Sequence, residues 1–313
     1  MKKSNVFKRT IKYISDPDYR FRVNERKFKK HFDQMSDEEF IKKKYRSVFG
    51  KYPDLKSPKT YNEKLQWLKL YDRKDLYTTL VDKFAVKSYV AAIIGEQYII
   101  PTLGVFDRFE DIDFDKLPER FVLKCTHDSG GLVICKDKSK LDKDKARETI
   151  NASLKNDYYL HSREWPYKNV PRRIIAEEYL VDESGYELKD YKFFCFDGNV
   201  RALLVASDRI VEGEKTKLDF FDADFNHLAL ERGHSNSGKT IKKPEGFEEM
   251  KRLAEKLSEG FYHLRVDLYN INGKIYFGEL TFFPAGGMTK FEPEKWDTIF
   301  GDWLVLPLDK ESK

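Results

Sequence analysis

Cysteine is scarce in this chain of 313 residues: Cys125, Cys135 and Cys195 are the three, an odd number without CxxC spacing. Each lies in a strand-like apolar run, so the sequence predicts reduced core thiols and argues against a disulfide framework or a cysteine-ligated zinc site. Long apolar runs are lacking as well. No stretch of about 18 apolar residues occurs, and the opening MKKSNVFKRTIKYI is charged without an apolar h-region, so neither a membrane span nor a signal peptide is expected. The expected location is cytoplasmic. Repeats of fixed period are missing too, which leaves out solenoids and propellers.

What is present suffices for a sizeable core: 40% hydrophobic and 15% aromatic residues, with a charged share of 35% spread among them. The net charge of +5 is uneven, because residues 1–50 hold 15 Lys/Arg against 7 Asp/Glu, a net of +8. Runs such as Arg26-Lys27-Phe28-Lys29-Lys30 and Lys42-Lys43-Lys44-Tyr45-Arg46 suit either a solvated helical face or contact with an anionic partner, an acidic polysaccharide or the inner membrane face. With no zinc-ligand spacing and no RNP-like aromatic motif in the segment, nucleic acid is not expected.

The apolar spacing predicts α+β organisation. Residues 1–55 read as a basic helical segment, and residues 56–120 as a helical and βα part. There TYNEKLQWLKLYD is one helix and DLYTTLVDKFAVKSYVAAII a second ending at Gly95. Residues 121–180 open with FVLKCTHDSGGLVICKD, two strands around a Gly-Gly turn. A helix follows over 140–156, and then the buried strand RRIIAEEYL. Residues 181–309 supply a meander from YKFFCF, VRALLVAS and KLDFFDAD, an amphipathic helix GFEEMKRLAEKLSEG, and two strands joined at Asn272-Gly273.

Two motifs tempt and fail on context. Gly233, Gly238, Lys239 and Thr240 satisfy GxxxxGK[ST], yet Pro244 arrives within a turn, whereas a phosphate-cradling loop needs a helix beginning at the Lys-Thr pair. Asp222-Ala223-Asp224 matches the DxD pattern with which sugar-nucleotide transferases hold a metal. It reads instead as a strand ending in a polar turn, without the preceding succession of βα units.

The C-terminal hairpin carries more. Pairing across Asn272-Gly273 brings the carboxylates of Asp267 and Glu279, with the Thr281 hydroxyl, to one edge of the sheet, a set of hard oxygen ligands suited to Mg²⁺. Arg265, two residues before Asp267, shares its face and offers a phosphate-neutralising cation. Lys124 and Lys192 stand in otherwise apolar strands, where a cation is costly unless an anion meets it. Ser129-Gly130-Gly131 can bring backbone amides close to phosphate. Inward cations beside a carboxylate pair describe a nucleoside triphosphate site.

In that order, LVDKFAVKSYV, FVLKCTHDSGG, IIAEEYL, DYKFFCFDG, ASDR and RVDLYNINGKIYFGELTFFP resemble the ATP-grasp superfamily, and within it the teichuronopeptide-biosynthesis type found with bacterial capsule and surface-polysaccharide genes. The resemblance runs from about residue 60 to 287. It implies two α+β subdomains gripping ATP. Lys83 would begin the nucleotide region, Lys124 meet the phosphates and adenine edge, and Ser129, Gly130 and Gly131 cover the phosphates. Glu178, Tyr179 and Leu180 would form the adenine hinge, with Asp190, or Glu187 in competition, on the ribose. Lys192 and Arg265 would face the phosphates, and Asp267, Glu279 and Thr281 hold Mg²⁺, with Thr281 where the superfamily usually has Asn. Arg209 is the candidate grip on the acceptor carboxylate. The implied reaction is ATP-dependent carboxylate–amine ligation through an acyl phosphate, on a uronic acid, amino acid or peptide. A glycosyltransferase using a sugar nucleotide is the alternative, since that label is common among such proteins.

Overall fold

The computed structural model describes residues 34–182, 185, 188–207 and 216–308, and the chain divides into two compact units, Met1–Pro53 and Asp54–Lys313. In the first, helix α1 (Asp37–Phe49) starts where Ser36 Oγ accepts the Glu39 N–H at 3.2 Å, and it stops at the left-handed Gly50. Lys42 and Lys43 pair with Glu38 and Glu39 one turn earlier, at 2.5 and 2.6 Å. Two cations of that basic run are thus matched along the helix itself. The run Arg26–Lys30 lies outside the described residues.

The second unit opens with α2 (Tyr61–Tyr71), fixed by a capping box in which Thr60 accepts the Glu63 N–H and Glu63 returns to the Thr60 N–H. The stretch expected to be one helix is two, α3 (Leu76–Val81) and α4 (Ala85–Ile94). Asp82 causes the break: its Oδ1 accepts from the N–H groups of Phe84 at 2.8 Å and Ala85 at 3.2 Å, competing with the helical ladder. The interruption lets the Lys83 N–H reach the Thr126 carbonyl at 3.1 Å and brings Lys83 to the strands beyond.

Strands β1 (Thr102–Phe106), β2 (Phe121–Cys125), β3 (Leu132–Cys135) and β4 (Ile174–Glu178) form a four-stranded antiparallel sheet in the order β1-β4-β2-β3. Its own core joins Phe121, Leu123, Ile174 and Ala176 to Ile150 of α5 (Lys143–Leu154) and to Phe109, Ile112 and Leu117. Residues 102–117 thus pack with the small sheet, across the division expected at 120, because β1 pairs with β4. Helix α6 (Tyr158–Ser162) leads from α5 toward β4.

Strands β5 (Asp190–Phe196), β6 (Asn199–Ser207), β7 (Lys217–Asp222), β8 (His227–Leu228), β9 (His263–Ile271) and β10 (Lys274–Thr281) form a six-stranded antiparallel sheet, ordered β10-β9-β5-β6-β7-β8. The expected meander is β5-β6-β7, turning at Asp197-Gly198 with both φ positive. Alternation on β9 sends the fully buried Leu264, Val266 and Leu268 into the core beneath α7 (Phe247–Ser258), and Arg265 and Asp267 to the opposite face. Each such aliphatic side chain contributes about 1.5–3 kcal/mol. Helix α8 (Lys295–Trp303) packs Phe300 against Tyr61 and Phe291. The architecture is α+β, with all three cysteines free and buried.

Candidate active site

The site is built on a row across three strands. Register places Lys192 of β5 opposite Asp267 of β9, and Asp267 opposite Glu279 of β10. The second pairing depends on a β-bulge: Phe277 pairs with Leu268 and Glu279 with Asp267, leaving Gly278 as the extra residue. A Cβ at Gly278 would lie 3.0 Å from the Asp267 carbonyl oxygen and 3.2 Å from the Tyr269 ring, so the crowding there favours glycine. Thr281 then stands opposite Arg265.

Arg265 ties the row together. Its Nε donates to Asp267 Oδ1 at 2.6 Å, and its Nη2 donates to Asp267 Oδ2 at 2.8 Å, Glu279 Oε1 at 2.9 Å and Thr281 Oγ1 at 2.9 Å. Lys192 Nζ donates to both Asp190 and Asp267. Asp190, the expected ribose contact, is thereby drawn into the charge cluster. Three carboxylates meet two cations there. Burial pushes Asp267 up to about 6 against the pull of Arg265 and Lys192, with the charges of Asp190 and Glu279 adding. Burial would raise Glu279 too, but Lys192, Arg265 and Lys83 outweigh it and bring the carboxyl down to about 2. Negative charge in excess, oxygen donors only, and a buried carboxylate that resists ionisation are features that a divalent cation would satisfy. This donor set would fit Mg²⁺, and Asp267, Glu279 and Thr281 are the residues that could hold it.

The small sheet supplies the other side. Lys124 forms an ion pair with Glu177 at 2.7 Å, and Lys87 bonds the same carboxylate. Burial acts to raise Glu177, yet Lys124 and Lys87 hold it below the ordinary carboxylate value. The anion that lets Lys124 stand in an apolar strand is thus Glu177, where the sequence reading expected a phosphate and did not single out Glu177. Within β4 the neighbouring carboxylate Glu178 is exposed, while Glu177 is 5% exposed. Glu177 shares the face of Lys124 across the β2–β4 pair, a long-range pairing that the segment IIAEEYL does not itself disclose. Beyond β4, Tyr179 lies under Arg120 and both Tyr179 and Leu180 are half-buried, outside the strand.

Lys83 donates to the Asp128 carbonyl; burial lowers its pKa, while the charges of Glu279 and Asp128 raise it. It therefore stands between the small-sheet loop and Glu279. In that loop Asp128 Oδ1 accepts the Gly131 N–H at 3.2 Å, and Asp128 Oδ2 takes the Ser153 hydroxyl. A Cβ on Gly131 would come within 2.4 Å of Ser153 Oγ and 2.5 Å of Cys125 Sγ, whereas Gly130 has room. Ser129 Oγ lies 3.5 Å from the Tyr158 hydroxyl. Tyr158 and Tyr167 meet edge to face at 4.7 Å, and each phenol, raised by burial first, also feels Glu164 and Glu279. These aromatics beside the loop were not anticipated from the sequence.

Arg209, and Glu187 as the competitor of Asp190, lie outside the described residues. The Gly233–Thr240 motif is followed by loop until α7 begins at Phe247, so no helix N-terminus sits at Lys239-Thr240. Asp222 caps its own turn, accepting the N–H groups of Asp224 at 2.9 Å and Asn226 at 2.8 Å.

Comparison with known proteins gives a family match: the model described as TupA-like ATPgrasp covers residues 63–305. No curated protein matches. Among solved structures, a D-alanine–D-alanine ligase from Bacillus anthracis complexed with ATP is similar at 16% identity and a TM-score of 0.37, over 64% of this chain and 53% of that one. A D-alanine–D-alanine ligase from Helicobacter pylori is similar at 12% identity and a TM-score of 0.40, over 79% and 69%. A RimK domain protein ATP-grasp from Sphaerobacter thermophilus is similar at 11% identity and 0.39, over 73% and 69%. The chain spans about half the length of the first of these.

Proposed function

The chain belongs to the TupA-like ATP-grasp family, and on that premise we propose that it is an ATP-dependent carboxylate–amine ligase acting in the assembly of a bacterial capsule or surface polysaccharide of the teichuronopeptide kind. The observation that carries the reading is the Lys192–Asp267–Glu279 row with Arg265 bridging it, an excess of carboxylate charge facing the Lys83 and Lys124 side.

ATP binds between the two sheets, with its adenine against the Glu178–Leu180 segment and its ribose near Asp190. Ser129, Gly130 and Gly131 cover the phosphates. Lys83, Lys124 and Lys192 spread positive charge along the triphosphate, and Arg265 meets the transferred phosphoryl group. Mg²⁺ held by Asp267, Glu279 and Thr281 would neutralise charge on the phosphate oxygens. Phosphoryl transfer depends on positioning and charge stabilisation, so no covalent enzyme nucleophile is required. The γ-phosphoryl passes to the acceptor carboxylate, ADP leaves, and the amine displaces phosphate from the acyl phosphate to give an amide. Asp267, raised by burial and tied to Arg265 and Lys192, keeps those two cations in place between turnovers.

The basic segment of residues 1–50, at +8, would concentrate an acidic polymer near this site. The test of the whole reading is product analysis. With ATP, Mg²⁺ and a panel of uronic acids and amino acids as carboxylates, hydroxylamine should trap a hydroxamate with stoichiometric ADP. AMP and pyrophosphate would mean adenylation, and nucleoside diphosphate released from a sugar nucleotide would mean glycosyl transfer; either result overturns the proposal.

A further inference from the structure

The rejected GxxxxGKT motif has a place in the fold. Ser237, Lys239, Thr240, Lys242 and Lys243 line a cavity of about 550 Å³ whose other walls include Tyr191 and Asn270. This volume falls in the range of small-molecule sites, about 300–1,000 Å³. The cavity lies on the opposite face of the six-stranded sheet from Asp267. On β5 the alternation that turns Asp190 and Lys192 to the reaction centre turns Tyr191 away from it, and on β9 Asn270 follows Leu264, Val266 and Leu268 to the α7 side. Asn270 Nδ2 donates to the Glu245 carbonyl at 2.7 Å and reaches Met250 Sδ at 3.3 Å, which fixes it against α7.

The chemistry of the lining is one-sided. Lys189, Lys239, Lys242 and Lys243 face the cavity, and the carboxylate among its lining residues is Glu245. Lys189 is matched by Asp182 at 2.9 Å and Lys243 by Glu248 at 2.6 Å, while Lys242 has no carboxylate within ion-pair distance among the described residues. Hydroxyls of Ser207, Ser237 and Thr240 and the amide of Asn272 supply neutral hydrogen-bonding groups, while the Asn270 amide is already engaged by Glu245, Met250 and Gly273. Helix α7 begins just past Glu245 with Gly246 at its N-cap, and its first turn carries Glu248 and Glu249, the former paired with Lys243.

We propose that this cavity is a binding site for an anionic saccharide, a hydroxyl-rich body carrying a phosphate or carboxylate group. The lysines take the anion, and the hydroxyl and amide side chains take the sugar hydroxyls. A ligand there cannot reach the transferred phosphoryl group, because the sheet lies between. It acts as an effector or as a tether for a longer substrate. The inference is independent of the ligase reading.

The test is calorimetric titration of the full chain with D-glucose 1-phosphate, D-glucuronate and D-glucose in separate arms. At least one of the two anionic sugars should bind and D-glucose should not; which one binds identifies the anion. Asp267→Asn should leave that binding unchanged. The double variant Lys239→Ala/Lys242→Ala, on exposed positions that spare the fold as checked by circular dichroism, should weaken it about tenfold or more. The proposal is overturned if neither anionic sugar saturates by about 10 mM, if D-glucose binds equally well, or if Asp267→Asn abolishes binding while the lysine variant keeps it.

Discussion

Glu279 stands directly across from Asp267 because Gly278, the residue before it, is an extra member of the β10 ladder. Without that bulge Gly278 would face Asp267 and the two carboxylates would be out of register by one residue. Gly278→Ala should therefore reduce kcat more than it reduces stability. The new Cβ meets backbone at 3.0 Å, and backbone cannot give way as a flexible side chain can. A displacement of about 1 Å at a positioned group costs about 10²-fold in rate. The check is steady-state ADP release beside thermal unfolding; an active variant with wild-type kcat would show that the bulge has no part in the site.

Asp267 gives the pH behaviour a definite sign. Its folded pKa of about 6 exceeds the ordinary 3.8, so its ionisable carboxyl favours the folded state fully below the unfolded pKa. That contribution is lost as pH rises through about 6. Compared with Asp267→Asn, the metal-free wild-type protein should lose stability steadily between pH 4 and pH 7. Glu279, held at about 2, runs the other way: it stabilises above its ordinary value and loses that as pH falls. Its change falls mainly below pH 4.5, outside the window in which Asp267 titrates. Urea unfolding of each at pH 4, 5, 6 and 7 measures the difference; a constant gap across that range contradicts the assignment.

Glu177 is the shared anion of Lys124 and Lys87, and all three side chains are largely out of water. Glu177→Ala should cost about 3–5 kcal/mol, the price of leaving buried cations unmatched, and should raise the KM for ATP through the displaced Lys124. Glu177→Gln keeps an oxygen acceptor and should cost less on both counts. Denaturant midpoints and ATP kinetics on the two variants check the order; equal effects would mean that the oxygen acceptor contributes nothing beyond the charge, which both variants lack.

Much of this was legible in the sequence, and the gaps have physical causes. The Asn272-Gly273 hairpin and the meander follow from period-two alternation and turn chemistry, which are local, whereas the pairing of Asp267 with Glu279 needs the bulge at Gly278, which alternation alone does not give. The break at Asp82 was missed because the apolar spacing of DLYTTLVDKFAVKSYV continues through it, and only the carboxylate's own hydrogen bonds to Phe84 and Ala85 end the helix. Glu177 was missed because its importance depends on which strand pairs with β2, a long-range fact. The aromatic wall of Tyr158 and Tyr167 comes from a short helix and a 3-10 turn whose composition gives no sign of what they face.

On the proposed function, ATP binds with Mg²⁺ at the Asp267–Glu279 pair and not at the GxxxxGKT sequence. Equilibrium binding of ATP with Mg²⁺ to the wild-type chain, Asp267→Asn, Glu279→Gln and Lys239→Ala tests it directly. The account predicts that the two carboxylate variants keep their fold but lose Mg²⁺-dependent affinity and turnover, while Lys239→Ala binds ATP as the wild type does. Loss of ATP binding in Lys239→Ala, with full activity retained in both carboxylate variants, would contradict it.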